Sequence, residues 1–395
     1  MSQQVFHESV VVPGDPSSPR NSEADVIELT NGDLLLGWSE FYSSEGHDWS
    51  PCRITGKISR DLGRTWSESF RILENEAKQS TMETDFLRLP SGDIALFYCR
   101  KNGPDDCRVM MRKSRDDGKT WSEPKRLSDW RGYVGLTDAR SFVTSRGRII
   151  LPFYYTLLDC FVPPMFMVCQ VMFSDDEGET WQLSRPPLAV PHSAIGGCEP
   201  AAVELPDGRL LMMLRNNSGR IWQSISQDQG YSWERPEPTD LAASTSPICL
   251  ERLPNSDDIL VIWNQASKTE IDWGFVRNRL SCAISKDGCR TWQHFKNLES
   301  LDDQTRVEPA PIGEPPAAGR VIWCAPVQPA GPLNCSYPSC TFVRGHAIIT
   351  YDYPTGFCGL KLRVLPISWF YDDAAPSFKS GPVSATDWMP QAPQT

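Results

Sequence analysis

The 395-residue sequence is poor in histidine, with five, and none of them stands in a His-x-x-x-His spacing or a Cys/His cluster. The usual zinc-ligand spacings are missing, so no metal site and no cofactor are expected. Its 13 cysteines are scattered from Cys52 to Cys358 without a Cys-x-x-Cys pair. An odd number cannot all pair within one chain, and free thiols in a reducing compartment are the expectation. No run of about 18 apolar residues is present, which excludes a membrane-spanning helix. Met1 to Pro13 lacks the basic start, continuous apolar stretch and small-residue cleavage site of a secretory signal, so a cytoplasmic protein is expected. Positive charge is also short, with 39 Lys and Arg against 50 Asp and Glu and a net charge of −11. Such a surface repels nucleic acid and anionic membranes, and neither is expected as a partner. An anionic ligand would need a local arginine cluster.

What the chain does have is enough apolar sequence for a large core, at 40% hydrophobic and 23% charged residues, and a repeat. Five segments share one pattern. They open at Ser59-Arg-Asp61-Leu-Gly63-Arg-Thr65-Trp66, Ser114-Arg-Asp116-Asp-Gly118-Lys-Thr120-Trp121 and Ser174-Asp-Asp176-Glu-Gly178-Glu-Thr180-Trp181. Weaker copies follow at Ser226-Gln-Asp228-Gln-Gly230-Tyr-Ser232-Trp233 and Ser285-Lys-Asp287-Gly288-Cys289-Arg-Thr291-Trp292, the last with its glycine one place early. The opening serines are roughly 50 to 60 residues apart, the length of one four-stranded propeller blade. Each fixed position has a physical reason. Ser and Asp side chains bond the backbone of a tight turn, Gly adopts positive φ, and Trp anchors the hairpin against its blade. Asp61 and its equivalents therefore read as structural groups.

Before each box stands a polar turn and a short apolar run, as in Thr30-Asn31-Gly32-Asp33-Leu34, Leu89-Pro90-Ser91-Gly92-Asp93, Arg146-Gly147-Arg148, Leu205-Pro206-Asp207-Gly208 and Leu253-Pro254-Asn255-Ser256. These read as hairpins joining the two inner strands of each blade. The expected fold is all-β, a six-bladed β-propeller over residues 1–372 in which five blades carry boxes. The sixth is expected from Thr341 to Thr350 with Leu360 to Phe370, closed by an N-terminal strand around Val5 to Val12. Residues 373–395, rich in Pro, Ser and Ala, are expected to be a disordered tail.

Repeated Asp boxes at this spacing resemble the sialidase (neuraminidase) superfamily over about residues 20 to 372. The resemblance implies a site on the propeller axis with a tyrosine nucleophile, a glutamate that takes its proton, an aspartate acid/base and three arginines that hold a substrate carboxylate. Tyr337, in Cys335-Ser336-Tyr337-Pro338, matches the nucleophile. Glu199, in Gly197-Cys198-Glu199-Pro200, matches its base, and Arg215 follows on the same inner hairpin. A phenol titrates near 10 in water and needs such help at neutral pH. For the third arginine Arg277 is preferred over Arg279. Guanidinium forks suit this work because they bind carboxylate bidentately. Asp48, beside Trp49, is the candidate acid/base, with Glu40 as rival, and desolvation by Trp49 is expected to raise its pKa.

The superfamily's Arg-Ile-Pro motif, ten residues before the first turn glycine, is absent here: Gly32 counts back to Ser22, and Arg20 stands two places away. Arg140, Asp138, Glu83 and Asp85 precede the next two inner hairpins and are candidates for sugar contacts at the axial rim, or for salt bridges between blades. The long segment from Leu298 to Pro332 is expected to form a lid. The resemblance implies a retaining exo-glycosidase acting on sialic acid or a related acidic sugar, with a glycan or small acidic sugar as its partner. Two alternatives stand beside it: a non-catalytic glycan-binding propeller, and an enzyme of the same fold acting on another uronate-like sugar.

Overall fold

A computed structural model of the chain describes residues 6–43, 46–128, 132–156, 166–272, 274–313 and 333–380. Among these, antiparallel pairing groups the strands into four-stranded meanders, six in all. The first runs Arg20–Glu28, Leu34–Phe41, Cys52–Ser59 and Phe70–Leu73. The second runs Ser80–Arg88, Ile94–Gly103, Asp106–Ser114 and Lys125–Arg126. In the third, Ile149–Thr156 and Val168–Ser174 are followed by Gln182–Leu183, while the inner edge is split into Gly132–Gly135 and Phe142–Val143. The fourth is Cys198–Glu204, Leu210–Arg215, Arg220–Ser226 and Glu237–Ala242, and the fifth Cys249–Arg252, Ile259–Asn264, Arg279–Ser285 and Gln293–Ser300. The last unit is Ser336–Val343, His346–Pro354 and Cys358–Pro366, completed by the N-terminal strand His7–Val12.

The last unit differs from its expected boundaries. Thr341–Thr350 is two strands with a tight turn between them, where Arg344 and Gly345 both have positive φ, at 48° and 78°. This is the two-residue hairpin geometry that matches strand twist. The expected segment Leu360 to Phe370 is strand only as far as Pro366, and Ile367–Phe370 is a 3-10 turn. Part of the expected tail is also ordered. Phe378 N–H donates to Asn297 O at 2.9 Å and Ser380 N–H to Ser300 O at 2.8 Å. The Phe378 ring stacks on Trp369 at 5.5 Å and lies under the Arg363 guanidinium at 3.8 Å. One aromatic anchor thus outweighs the Pro- and Ser-rich composition around it. Residues 381–395, and residues 314–332 of the expected lid, lie outside the described residues.

Apolar packing runs from unit to unit. Trp38 and Val26 of the first unit share a cluster with Ile348 and Leu362 of the last, Leu35 and Ile54 share one with Phe86 and Leu96 of the second, and Leu211 of the fourth shares one with Val261 and Trp263 of the fifth. Each sheet therefore buries its faces against its neighbours, which leaves the inner-strand ends to gather around a common axis. The boxes sit at the far side, between third and fourth strands. In the first, Ser59 Oγ accepts from Gly63 N–H at 2.8 Å, and Asp61 accepts from Thr65 N–H at 2.8 Å and from Thr65 Oγ1 at 2.6 Å. The same bonds recur at Asp116, Asp176, Asp228 and Asp287. In the fifth box Cys289, at φ 66°, takes the left-handed place that glycine fills in the other four, because its glycine comes one residue early. Among the described residues no helix is long and apolar enough to cross a membrane.

Candidate active site

The inner strands share a second device. Each of the first, second, fourth and last units has a register shift on its innermost strand, between Ser22 and Asp25, Met82 and Asp85, Cys198 and Ala201, and Ser336 and Ser339. Within each bulge one residue has positive φ: Glu23 at 57°, Glu83 at 64°, Glu199 at 41° and Tyr337 at 52°. A left-handed conformation is costly for a non-glycine residue, and bulges of this kind re-aim side chains. In the third unit the interrupted inner edge does the same work, with Ala139 at φ 51° between Asp138 and Arg140.

Two of the re-aimed groups meet. The Tyr337 hydroxyl donates to Glu199 Oε1 at 3.3 Å, while Arg215 Nη1 bonds Glu199 Oε2 in a buried ion pair. The Arg277 guanidinium lies 5.8 Å from the Tyr337 ring centroid and donates to Ser336 Oγ at 2.9 Å and Thr245 O at 3.1 Å. Its alternative, Arg279, is taken up by Glu270 at 3.1 Å and Asp302 at 2.5 Å. Burial pushes the Tyr337 phenol well above its ordinary value, and the Glu199 charge adds to this against Arg215 and Arg277. At rest the phenol is therefore protonated, and Glu199 is the acidic side chain within hydrogen-bonding reach of its proton.

Arg20 reaches the same cluster despite the missing motif. Its Nη1 bonds Asp48, its Nη2 donates to Glu23 Oε1 at 2.6 Å, and it lies 4.4 Å over the Phe41 ring. Asp48 corrects an expectation. Burial does push its carboxyl up, but the Arg20 and Lys101 charges outweigh burial and hold it down at about 2. Trp49 does not mask it either, for that ring faces the Lys101 ammonium at 3.8 Å. Glu40, the rival, is occupied by Arg53 and Arg71, both at 2.7 Å, and by Thr55 at 2.6 Å.

The remaining candidates divide. Asp85 is a clamp between the second and third units: it accepts from Arg140 N–H at 3.1 Å, Ser141 N–H at 2.9 Å and the Ser141 hydroxyl. Asp25 clamps the first unit to the second in the same way through Phe86 N–H at 2.7 Å. Arg140 crosses the axis to donate to Pro338 O at 2.9 Å, and so braces the Tyr337 bulge. Glu83 Oε2 and both carboxyl oxygens of Asp138 are buried without a hydrogen-bond partner. Burial first, then the neighbouring Glu23 and Asp138 charges, keeps the Glu83 carboxyl well above its usual range. Asp138 is raised by burial too, against Arg140. The arginines of the axis are thus matched by carboxyls, among them two that the sequence reading did not assign. Glu23 is one. Asp352 is the other: it accepts from Ser22 Oγ at 2.7 Å and is pushed up to about 7 by burial, against the Arg20 charge. A sequence signal for Glu23 existed, since Glu23-Ala24-Asp25 and Glu83-Thr84-Asp85 repeat one pattern. Among the described residues no group of His, Cys, Asp and Glu is arranged to hold a metal ion.

The BNR repeat-like domain family matches residues 32–350, most of the chain. The chain belongs to that family. A sialidase of Paraclostridium sordellii is 28% identical over 241 residues, covering 53% of this BNR-repeat chain and 56% of the relative, so the match spans little more than half of that protein's length. Among solved structures, the Hadza microbial sialidase Hz136 superposes with a TM-score of 0.65 at 15% identity, covering 89% of this chain and 66% of the other. Trypanosoma rangeli sialidase in complex with the inhibitor DANA gives 0.64 at 15% identity over 91% of this chain and 59% of its own. The same sialidase has been solved with 2,3-difluorosialic acid as a covalent intermediate. At these identities the structural likeness speaks for the fold, an all-β propeller.

Proposed function

We propose that the chain is a retaining exo-glycosidase acting on sialic acid or a related acidic sugar. The observation that carries this reading is the Tyr337 hydroxyl within 3.3 Å of a glutamate whose other oxygen is held by a buried arginine. Arg20, Arg215 and Arg277 grip the sugar carboxylate. Tyr337 attacks the anomeric carbon while its proton passes to Glu199, and Asp48 protonates the departing glycosidic oxygen. A phenol relayed to a carboxylate approaches an anomeric carbon that bears a carboxylate with less repulsion than a carboxylate nucleophile would. Water then attacks the glycosyl-tyrosine intermediate with Asp48 as base, and two displacements at one carbon restore its configuration.

The test is a panel of aryl glycosides of sialic acid, of its relatives lacking the acetamido group and of hexuronic acids, with the first-formed product read by NMR. Retention on a sialic acid-type glycoside is expected. Inversion overturns the mechanism, turnover of hexuronides alone moves the substrate to another acidic sugar, and no turnover with tight binding makes the propeller a glycan-binding module.

A further inference from the structure

Arg20 is fully engaged before any ligand arrives, with Nη1 on Asp48 and Nη2 on Glu23. A substrate carboxylate gripped by the guanidinium fork needs one of those places. The two occupants are not equivalent. The Glu23 side chain is 1% exposed on the inner-strand bulge, whereas that of Asp48 is 42% exposed on a loop. Asp48 is the one free to give way. Its backbone is nevertheless fixed: the buried Lys101 ammonium donates to Asp48 O at 2.6 Å while resting on Trp49, and Ser50 N–H donates to His47 O at 2.8 Å to close the turn.

We propose, resting on the glycosidase reading above, that the substrate's carboxylate replaces the Asp48 carboxylate on Arg20, and that this exchange turns Asp48 into the proton donor for the leaving group. Lys101 is then a positioning residue, which keeps the displaced side chain at the mouth of the site. The charged groups facing Asp48 are Arg20 and Glu23 from the first unit, Lys101 from the second and Arg215 from the fourth, with His47 on its own loop. In the resting protein the Arg20 and Lys101 charges outweigh burial and keep Asp48 ionised. Once a second carboxylate neutralises Arg20, Asp48 loses its main counter-charge, and as the bound sugar covers its exposed side chain the carboxyl takes a proton from solvent. That proton goes to the glycosidic oxygen as its bond to the anomeric carbon breaks, while the bond from Tyr337 forms and the phenolic proton moves to Glu199. An acidic substrate thereby arms the acid that cleaves it, and a neutral sugar leaves Asp48 bound to Arg20.

Calorimetric titration with DANA at pH 5, in two buffers of different ionisation enthalpy, measures the protons taken up on binding. Wild type is expected to take up about one proton per ligand, and Asp48→Asn close to none. Asp48→Asn is also expected to bind DANA about tenfold more tightly, the equivalent of one charge-assisted hydrogen bond that no longer has to be displaced. Binding to wild type without proton uptake, or uptake that persists in Asp48→Asn, overturns the exchange and leaves the glycosidase reading intact. Failure of wild type to bind DANA at all removes the sialic acid reading, and the exchange with it.

Discussion

Glu199 carries two loads at once, and a pair of substitutions separates them. Its Oε2 neutralises Arg215, whose side chain is 2% exposed, and its Oε1 faces the Tyr337 hydroxyl. Glu199→Gln keeps the volume and removes the charge, which leaves a buried guanidinium without its counter-ion. Breaking a buried pair in this way costs about 3 to 5 kcal/mol, and the lower end is expected because the glutamine carbonyl still accepts a hydrogen bond. Adding Arg215→Met removes the stranded charge, and replacing both partners of such a pair is often near neutral. Stability should therefore return in the double variant. Turnover should not: on the proposed mechanism the double variant lacks the general base, whose loss costs about 10² to 10⁴ in rate, and also the Arg215 grip on the carboxylate, so Glu199→Gln alone reads the loss of the base. Urea denaturation reads the first effect. Intact-mass spectrometry after exposure to 2,3-difluorosialic acid reads the second, as the fraction of chain carrying a covalent sugar. If the double variant recovered both stability and labelling, Glu199 would be a structural partner of Arg215 and nothing more. Tyr337→Phe is the complement: it should lose labelling entirely while shifting stability by only about 1 kcal/mol.

Three further outcomes follow from the geometry. Asp116→Ala removes the Thr120 and Ser114 bonds of a box remote from the axis, so the melting temperature should fall while KM stays unchanged; a raised KM with an unchanged melting temperature would contradict that placement. Burial raises the Glu251 carboxyl to about 8, against Arg140 and with the Asp85 charge adding to it. Its stabilising contribution is therefore fully present below the ordinary carboxylate range and is lost as the pH rises toward 8. Glu251→Gln should flatten the decline of melting temperature between pH 5 and 8, and an unchanged slope would show that the group does not titrate there. Arg140→Met should weaken the Tyr337 bulge through loss of the Pro338 bond, lowering kcat more than it raises KM, and a pure KM effect would return Arg140 to the substrate.

The boxes and inner hairpins were legible in the sequence because each is a local device, complete within about eight residues and repeated five times. Tyr337, Glu199, Arg215 and Arg277 stand out as candidates only through likeness to a family pattern, and the structure brings Tyr337, Glu199 and Arg215 together. The rest depended on distances that no local spacing encodes. The state of Asp48, on its loop, is set by Arg20, 28 positions away on the innermost strand of the first unit, and by Lys101 in the next unit, so its neighbour Trp49 is a poor guide. For Asp85 the sequence leaves a sugar contact and a bridge between blades both open, and its hydrogen bonds run to the chain beyond Asp138, across a unit boundary. Glu23 has no match in the family pattern, and its likeness to Glu83, its counterpart in the next unit, gains meaning only where both bulges share a positive φ.

The N-terminal strand, His7–Val12, pairs with Cys358–Pro366. During synthesis that strand leaves the ribosome before the other propeller strands and waits for its partner until nearly the whole propeller has been made. Each middle unit can fold its own meander as it emerges, but the first strand spends that time as an open edge, the kind of surface on which chains pair wrongly. Arg20 and Asp48 wait as well, since Glu199, Arg277 and Tyr337 are translated in later units. Ribosome-bound chains halted before Tyr337 should thus hold folded meanders and bind no acidic sugar, and the exposed Glu8 on His7–Val12 places a charge on the waiting edge until the last unit arrives.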